Sequence, residues 1–461
     1  MQMRDLRGLQ ITANSAAAVA AFERSLLALN GFFLDPLQEI EESIRIDPDF
    51  PLAWCLRGAL FALSTDPRFS GEVLKSLEAL DRLAPALNDR ETGHAAALRC
   101  WASGDFRGAQ REYTAISQVW PRDLLALQIG HQVDYFLGDA PMLRDRVAGV
   151  LPEWDESVPG FGFVAGMYAF GLVEMRDYAR AEAEGKRALA MNPRDPWAIH
   201  AVAHVMEMQG RIREGVAWLD ERVGDWSQNN MLARHVWWHR ALFCLELEDV
   251  AEVLRLYDTR IRPKAADMAL ELVDATALLW RLHLRGVDVG SRWDAVAAEW
   301  APILAGGYYA FNDIHAMLAL VGAGQMGEAD GLLARVRAAA GGAGTNAEVT
   351  RLAGLAAIEG IHAFGRSDYA SAAALLEPVR HSLQVCGGSH AQRDVVALTL
   401  VEAAIRAGDA GLARRLANER VSDKPSSPLN WSLLARAAEL AKDYGRAKAA
   451  AAKAKAVLTT A

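Results

Sequence analysis

The feature that most constrains this chain is a turn that keeps returning. Gly104-Asp105-Phe106, Arg176-Asp177-Tyr178, Gly210-Arg211-Ile212, Glu248-Asp249-Val250, Gly324-Gln325-Met326, Ser367-Asp368-Tyr369, Gly408-Asp409-Ala410 and Lys442-Asp443-Tyr444 each sit between stretches where alanine and leucine recur at helical spacing. A glycine or polar residue closes one helix, and a small residue packs near the start of the next. A second marker closes longer units. Pro48, Pro121 and Pro193 lie about 72 residues apart, twice the roughly 34-residue period of a tetratricopeptide array. Strand patterns are nearly absent. The expectation is an all-α, tetratricopeptide-like helix–turn–helix solenoid, of a kind that can curl into a closed superhelix. It runs as one domain over residues 1–461, with an irregular insert at about 260–310. Ala338–Asn346 and Ser422–Pro428 read as loops.

Charge and cysteines narrow the function classes. The net charge is −9 with no lysine-rich run beyond the polar face of a terminal helix, so the expectation is no nucleic acid. No stretch reaches about 18 uninterrupted apolar residues, and the N-terminus lacks an apolar leader core, so neither a membrane partner nor secretion is expected. Cys55, Cys100, Cys244 and Cys386 form no CxxC pair and fit buried thiols in a reducing, cytoplasmic setting. There is no phosphate-binding GxxxxGK[ST], no GxGxxG after a strand and no GxSxG nucleophile elbow.

Chemistry concentrates in residues 196–240, where two helical segments each carry histidines four apart. His200, His204 and Glu207 fall on one stripe of a helix, and His235 and His239 share a face of the next long one. In a tetratricopeptide unit the first helix of each pair lines the concave groove, so these side chains are expected to face it. Trp197 and Trp238 flank them. His131, Tyr168, Asp313, His315 and Arg393 are the supporting candidates from other first helices.

The runs Gly166-Met-Tyr-Ala-Phe-Gly-Leu172, His200-Ala-Val-Ala-His204 with Glu207-Met208, His235-Val-Trp-Trp-His239, Phe311-Asn-Asp-Ile-His315 and Gly387-Gly-Ser-His-Ala-Gln-Arg-Asp394 together resemble the tetratricopeptide repeat protein 38 family. The resemblance covers about Leu34 to beyond Ser427 in the same order. His390 stands where that family can carry asparagine, so no shared role is given to it. The resemblance implies a fold and a set of positions, and no settled activity.

Several readings of the site follow. As metal ligands, His200, His204, Glu207, His235 and His239 offer imidazoles and a carboxylate suited to zinc, iron or manganese; no HExxH protease signature is present. As acid/base machinery, a groove histidine oriented by Glu207 can move protons near neutral pH without a metal. As a recognition site, the same residues can hold a peptide or an anion. Against these stands plain packing with the ring nitrogens satisfied. Asn312 or Asp313 also reads as a helix N-cap, and Ser389 with Gln392 as a capping box. Arg393, at a helix start, is expected to pair with a carboxylate or to hold a substrate anion bidentately. The function expected is binding or conversion of a small polar molecule in the groove, by hydrolase- or lyase-type acid/base or metal-assisted chemistry. The alternative is a non-catalytic scaffold that takes a peptide there. Substrate, bound cofactor and oligomeric state are not readable from these residues.

Overall fold

The recurrent turns all close their helices with one backbone motif. The first residue of each, from Gly104 to Lys442, takes a positive φ between +59° and +81°. Its N–H bonds the carbonyl three residues back, and the next N–H reaches five back, as Asp105 does to Cys100 and Asp443 to Ala438, both at 2.9 Å. This is the Schellman closure, in which a left-handed residue turns the chain back over its own last carbonyls. Asp105, Asp249, Asp368, Asp409 and Asp443 then accept a backbone N–H from the first turn of the following helix. Gly138-Asp139 closes in the same way; its sequence pattern had not stood out.

These turns belong to a computed structural model that describes residues 3–266, 268–304 and 306–460. Regular structure among the described residues is helical, mostly α with short 3-10 and π segments, apart from the two-strand ribbon β1 (Met3–Arg4) and β2 (Gln10–Ile11) and an isolated bridge between Phe33 and Asn230. Neighbours in sequence pack as antiparallel helix pairs: Ala16–Asn30 with Pro36–Ile46, Asp89–Ala102 with Phe106–Val119, Phe161–Glu174 with Tyr178–Met191, Leu355–Gly365 with Tyr369–Val379, and Pro428–Leu440 with Tyr444–Thr460. The all-α, tetratricopeptide-like architecture read from the turns is therefore what the chain forms. No described helix is long and apolar enough to cross a membrane.

The chain divides into two compact units. The first runs to Val202 and takes in Gly224–Ala233 and Ala343–Asn346; the second comprises Ala203–Val223, Arg234–Gly342 and the chain from Ala347 on. In the first unit the polar core is an ion network. Asp123 caps the helix Leu124–Phe136 through one oxygen, while the other accepts from Arg90 at 2.6 Å and meets His94 at 2.8 Å. Arg90 also reaches Asp5 at 3.1 Å. Burial alone would raise the Asp123 carboxyl, but the guanidinium and imidazole beside it outweigh that and hold it well below the usual range.

Five helices carry the candidate site: α1 (Pro196–Gln209), α2 (Ala233–Glu246), α3 (Ala269–Leu284), α4 (Ala310–Gly322) and α5 (His390–Arg406). The boundary between the units falls within α1, after Val202. In the second unit, Gly215 lets the helix Ile212–Glu221 lie against α2, since a Cβ there would come 2.2 Å from the Phe243 ring. Residues 260–310 hold α3 and a further helix, Arg292–Trp300, preceded by a π-turn at Tyr257–Ile261. α3 packs on both α4 and α5, and the Trp280 indole donates to Thr399 on α5 at 2.8 Å.

Two stability measurements test this account. Asp123→Asn leaves Arg90 with Asp5 as its remaining carboxylate and is expected to cost about 1–3 kcal/mol in urea unfolding at neutral pH. The wild-type advantage should fade as pH drops below the unfolded aspartate value near 4, because the folded carboxylate stays charged there while the unfolded one takes up a proton. Conversely, Glu248→Gly and Ser367→Gly, at left-handed positions held by non-glycine residues, should each stabilise by about 1 kcal/mol; a loss of stability would refute the strain argument.

Candidate functional site

The residues of α2 from Val236 to Leu245 are mostly buried, so a polar side chain buried among them must find partners inside the protein. His239 is fully buried, and its Nδ1 meets Glu207 Oε2 of α1 at 2.9 Å. His235, one turn earlier, puts its Nδ1 2.7 Å from Asp274 Oδ2 of α3. Since a carboxylate oxygen can only accept, each imidazole donates its Nδ1–H and turns its other nitrogen inward. The two Nε2 atoms lie 3.2 Å apart. His204 on α1 is also fully buried and sets its ring edge-on to His239, with centroids 4.2 Å apart. Nitrogens of His204, His235 and His239 all lie within 4.8 Å of one another. His200 stands one turn before His204 on α1, on the same stripe by helical spacing.

The surroundings complete the arrangement. Asp274 accepts a second bond, 3.2 Å from Gln392 Nε2 at the start of α5. Gln392 and Ser389 do form the capping box, and the amide left over from that box is what reaches Asp274. Burial, with His235 and Arg281 repelling a further positive charge, holds His239 well below the ordinary histidine value; Asp274 opposes them. His315, on the second turn of α4, bonds Phe311 O through Nδ1 at 2.8 Å. Burial pushes it down to about 4.

The remaining candidates lie elsewhere. In the first unit, His131 meets Met167 O through Nε2 at 3.2 Å and packs with Phe170 and Trp197. Trp197 stacks on Phe32 with centroids 5.1 Å apart. The Tyr168 hydroxyl accepts from Arg180 at 2.7 Å. In the second unit, Trp238 is fully buried behind His235, ring over ring. Neither Asn312 nor Asp313 is an N-cap, because α4 starts earlier, after Tyr309. Asp313 accepts the Gly307 N–H at 2.8 Å, and burial raises its carboxyl to about 7. Arg393 donates to the carbonyls of Gly388 and Gly387 in the loop before α5, whereas the neighbouring Asp394 pairs with Arg420 at 2.6 Å. The sequence reading missed Asp274 and Arg281. Their signal was a charged pair seven apart in an otherwise apolar helical run, Asp274-Ala-Thr-Ala-Leu-Leu-Trp-Arg281, within what looked like an irregular insert.

No family model matches the chain. Among solved structures it is similar to the human IFIT1 dimer with PPP-AAAA, at 13% identity and a TM-score of 0.44, covering 97% of this chain and 96% of that one. A monomeric IFIT1 mutant with Gppp-AAAA is similar at 14% identity and a TM-score of 0.42, covering 99% and 98%. Likeness at this level assigns no residue a role. One expectation is corrected: those IFIT1 structures are with PPP-AAAA and Gppp-AAAA, so the exclusion of nucleic acid drawn from net charge is not maintained. Net charge sums the whole chain, whereas phosphate binding depends on where lysine and arginine cluster.

The depressed His315 value has a measurable consequence. The unfolded histidine takes a proton near pH 6.5 while the folded one refuses it until about 4. Stability should therefore fall as pH drops between those values, by on the order of 3 kcal/mol for this residue from about pH 7 to about pH 4. Urea unfolding of His315→Leu across that range should show a pH dependence shallower by that amount; an identical slope would refute the assignment.

Proposed function

We propose that the chain binds a divalent transition metal, zinc by the character of its donors, through His204, His235 and His239, and uses it to act on a small polar molecule as a metal-assisted hydrolase. One observation carries this reading: the Nε2 atoms of His235 and His239 face one another at 3.2 Å while both Nδ1 atoms are committed to carboxylates. Two neutral imidazoles in that state turn lone pair toward lone pair. Burial strongly disfavours a proton on His239, so its Nε2 presents a lone pair toward His235. A metal cation turns the same geometry into coordination. Two nitrogens each about 2.05 Å from a tetrahedral ion are roughly 3.3 Å apart, close to the spacing found. Glu207 and Asp274 then have the role that carboxylates commonly have behind histidine ligands, fixing the tautomer and ring orientation and raising the basicity of the ligand nitrogen.

A bound zinc ion would lower the pKa of a coordinated water to about 7 and polarise a substrate oxygen. Three histidine ligands leave the fourth position for that water. The order of motifs resembling the tetratricopeptide repeat protein 38 family agrees with this set of positions and adds no activity to it.

Protein prepared without a polyhistidine tag and without chelators is expected to carry about one zinc per chain by elemental analysis. His204→Ala and His239→Ala should lose it with the helical circular dichroism intact. Glu207→Gln and Asp274→Asn should weaken affinity about 10- to 100-fold. Cobalt substitution should give the visible absorption of a tetrahedral site. A folded wild type that retains no transition metal and gives no cobalt spectrum would overturn the reading and favour the non-catalytic scaffold.

A further inference from the structure

Arg281 is a buried cation without a buried anion of its own. It is 4% exposed, and its guanidinium donates to two helix carbonyls, Ala277 O at 3.2 Å and Ala391 O at 2.6 Å. It lies over the Trp238 ring, 5.5 Å from the centroid. Among the described residues no carboxylate comes within ion-pairing distance of it. The acids whose fields reach it are Asp394 and Glu207, and these are already committed, to Arg420 and to His239. A guanidinium has five N–H donors; two are used here, and among the described residues the other three have no protein acceptor. Leaving a charge buried and unpaired is among the costlier arrangements in a protein interior, and side chains kept that way mark sites where a ligand supplies the counter-charge.

A second orphan lies in the same field. His315 Nε2 is buried and has no hydrogen-bond partner, and both Asp274 and Arg281 act on it electrostatically. Its Nδ1–H is donated to Phe311 O, so Nε2 carries a lone pair and accepts. The helices bearing these groups, α3 and α4, pack against one another.

We infer that Arg281 is the anion-holding residue of this site, so that its ligand is a small molecule with an oxyanion, carboxylate or phosphate, for Arg281 and a hydroxyl or N–H donor for His315 Nε2. The position of Arg281 two turns after Asp274 on α3 is set by the helix itself, and its side chain runs back along the helix to the Ala277 carbonyl, toward Asp274. Arginine suits the task because its planar fork can hold two oxygens at once. The inference rests on the metal reading only for what the remainder of the ligand would meet.

Calorimetric titration and thermal melts of the full chain, zinc-loaded and chelator-stripped, with inorganic phosphate and separately with acetate at matched ionic strength, test it. The expected result is saturable binding of one of the two anions with a rise in Tm, and the anion that binds tells phosphate from carboxylate. Binding should weaken at least tenfold in Arg281→Met with zinc content unchanged. Arg281→Gln, which keeps an amide donor for the helix carbonyls, provides the same comparison if the methionine variant does not fold. Unchanged anion affinity in the folded variant, or no anion binding by wild type in either metal state, would overturn the inference, and zinc content measured on the same samples shows whether the metal reading survives. Wild type that holds no zinc yet binds the anion through Arg281 would uphold the inference while removing the metal.

Discussion

A histidine inside a protein has to satisfy two ring nitrogens, and the candidate site is organised by how the fully buried His239 and the part-buried His235 do so. Each gives its Nδ1–H to a carboxylate on a neighbouring helix, Asp274 on α3 and Glu207 on α1. Asp274 in turn accepts from Gln392 on α5. The result is a continuous polar chain through four helices. Removing any link would leave a buried donor or acceptor unmatched, at a cost of about 1–3 kcal/mol for a neutral group and more for a charge. These bonds also decide which nitrogen of each ring points inward, which a helix on its own would leave open. Coordination and anion binding both depend on that choice.

The repeated turn supplies the frame. Each closure uses a residue in the same left-handed conformation and the same pair of backward hydrogen bonds. Four of the eight recurrent turns place Arg176, Glu248, Ser367 or Lys442 in that conformation, where glycine would be less strained. The closure is therefore dictated by the packing of the helix pair as much as by the residue at the turn. Close approach is handled separately, by glycines such as Gly215 under the Phe243 ring.

Legibility differed between kinds of residue. His204 with Glu207 and His235 with His239 could be placed on common faces because positions three and four apart on a helix are neighbours whatever surrounds them. The capping box at Ser389 and Gln392 is equally local and forms as read. Arg393 and Asp313 show the opposite case. Their partners are loop groups, the carbonyls of Gly387 and Gly388 and the N–H of Gly307, and nothing in the spacing of the chain announces which loop will fold back on which helix. His131, Tyr168 and Trp197 are likewise held by first-unit neighbours, Met167, Arg180 and Phe32, which a linear reading could not select.

By itself, then, the amino-acid sequence determined the helical class, the turns and the two histidine faces, since each depends on interactions within a few residues along the chain. The tertiary structure decided what those faces meet. Asp274 lies 39 residues from His235, and Gln392 118 residues from Asp274, so their pairing is a property of how α2, α3 and α5 pack. Arg281 makes the same point most clearly. In the sequence it is one arginine in an apolar run, and only the fold reveals that it is buried over Trp238 with no acid of its own. The physical reason is one of range: backbone hydrogen bonds and helical periodicity are local, whereas the burial of a charge and the identity of its partner are set by side chains brought together from distant parts of the chain.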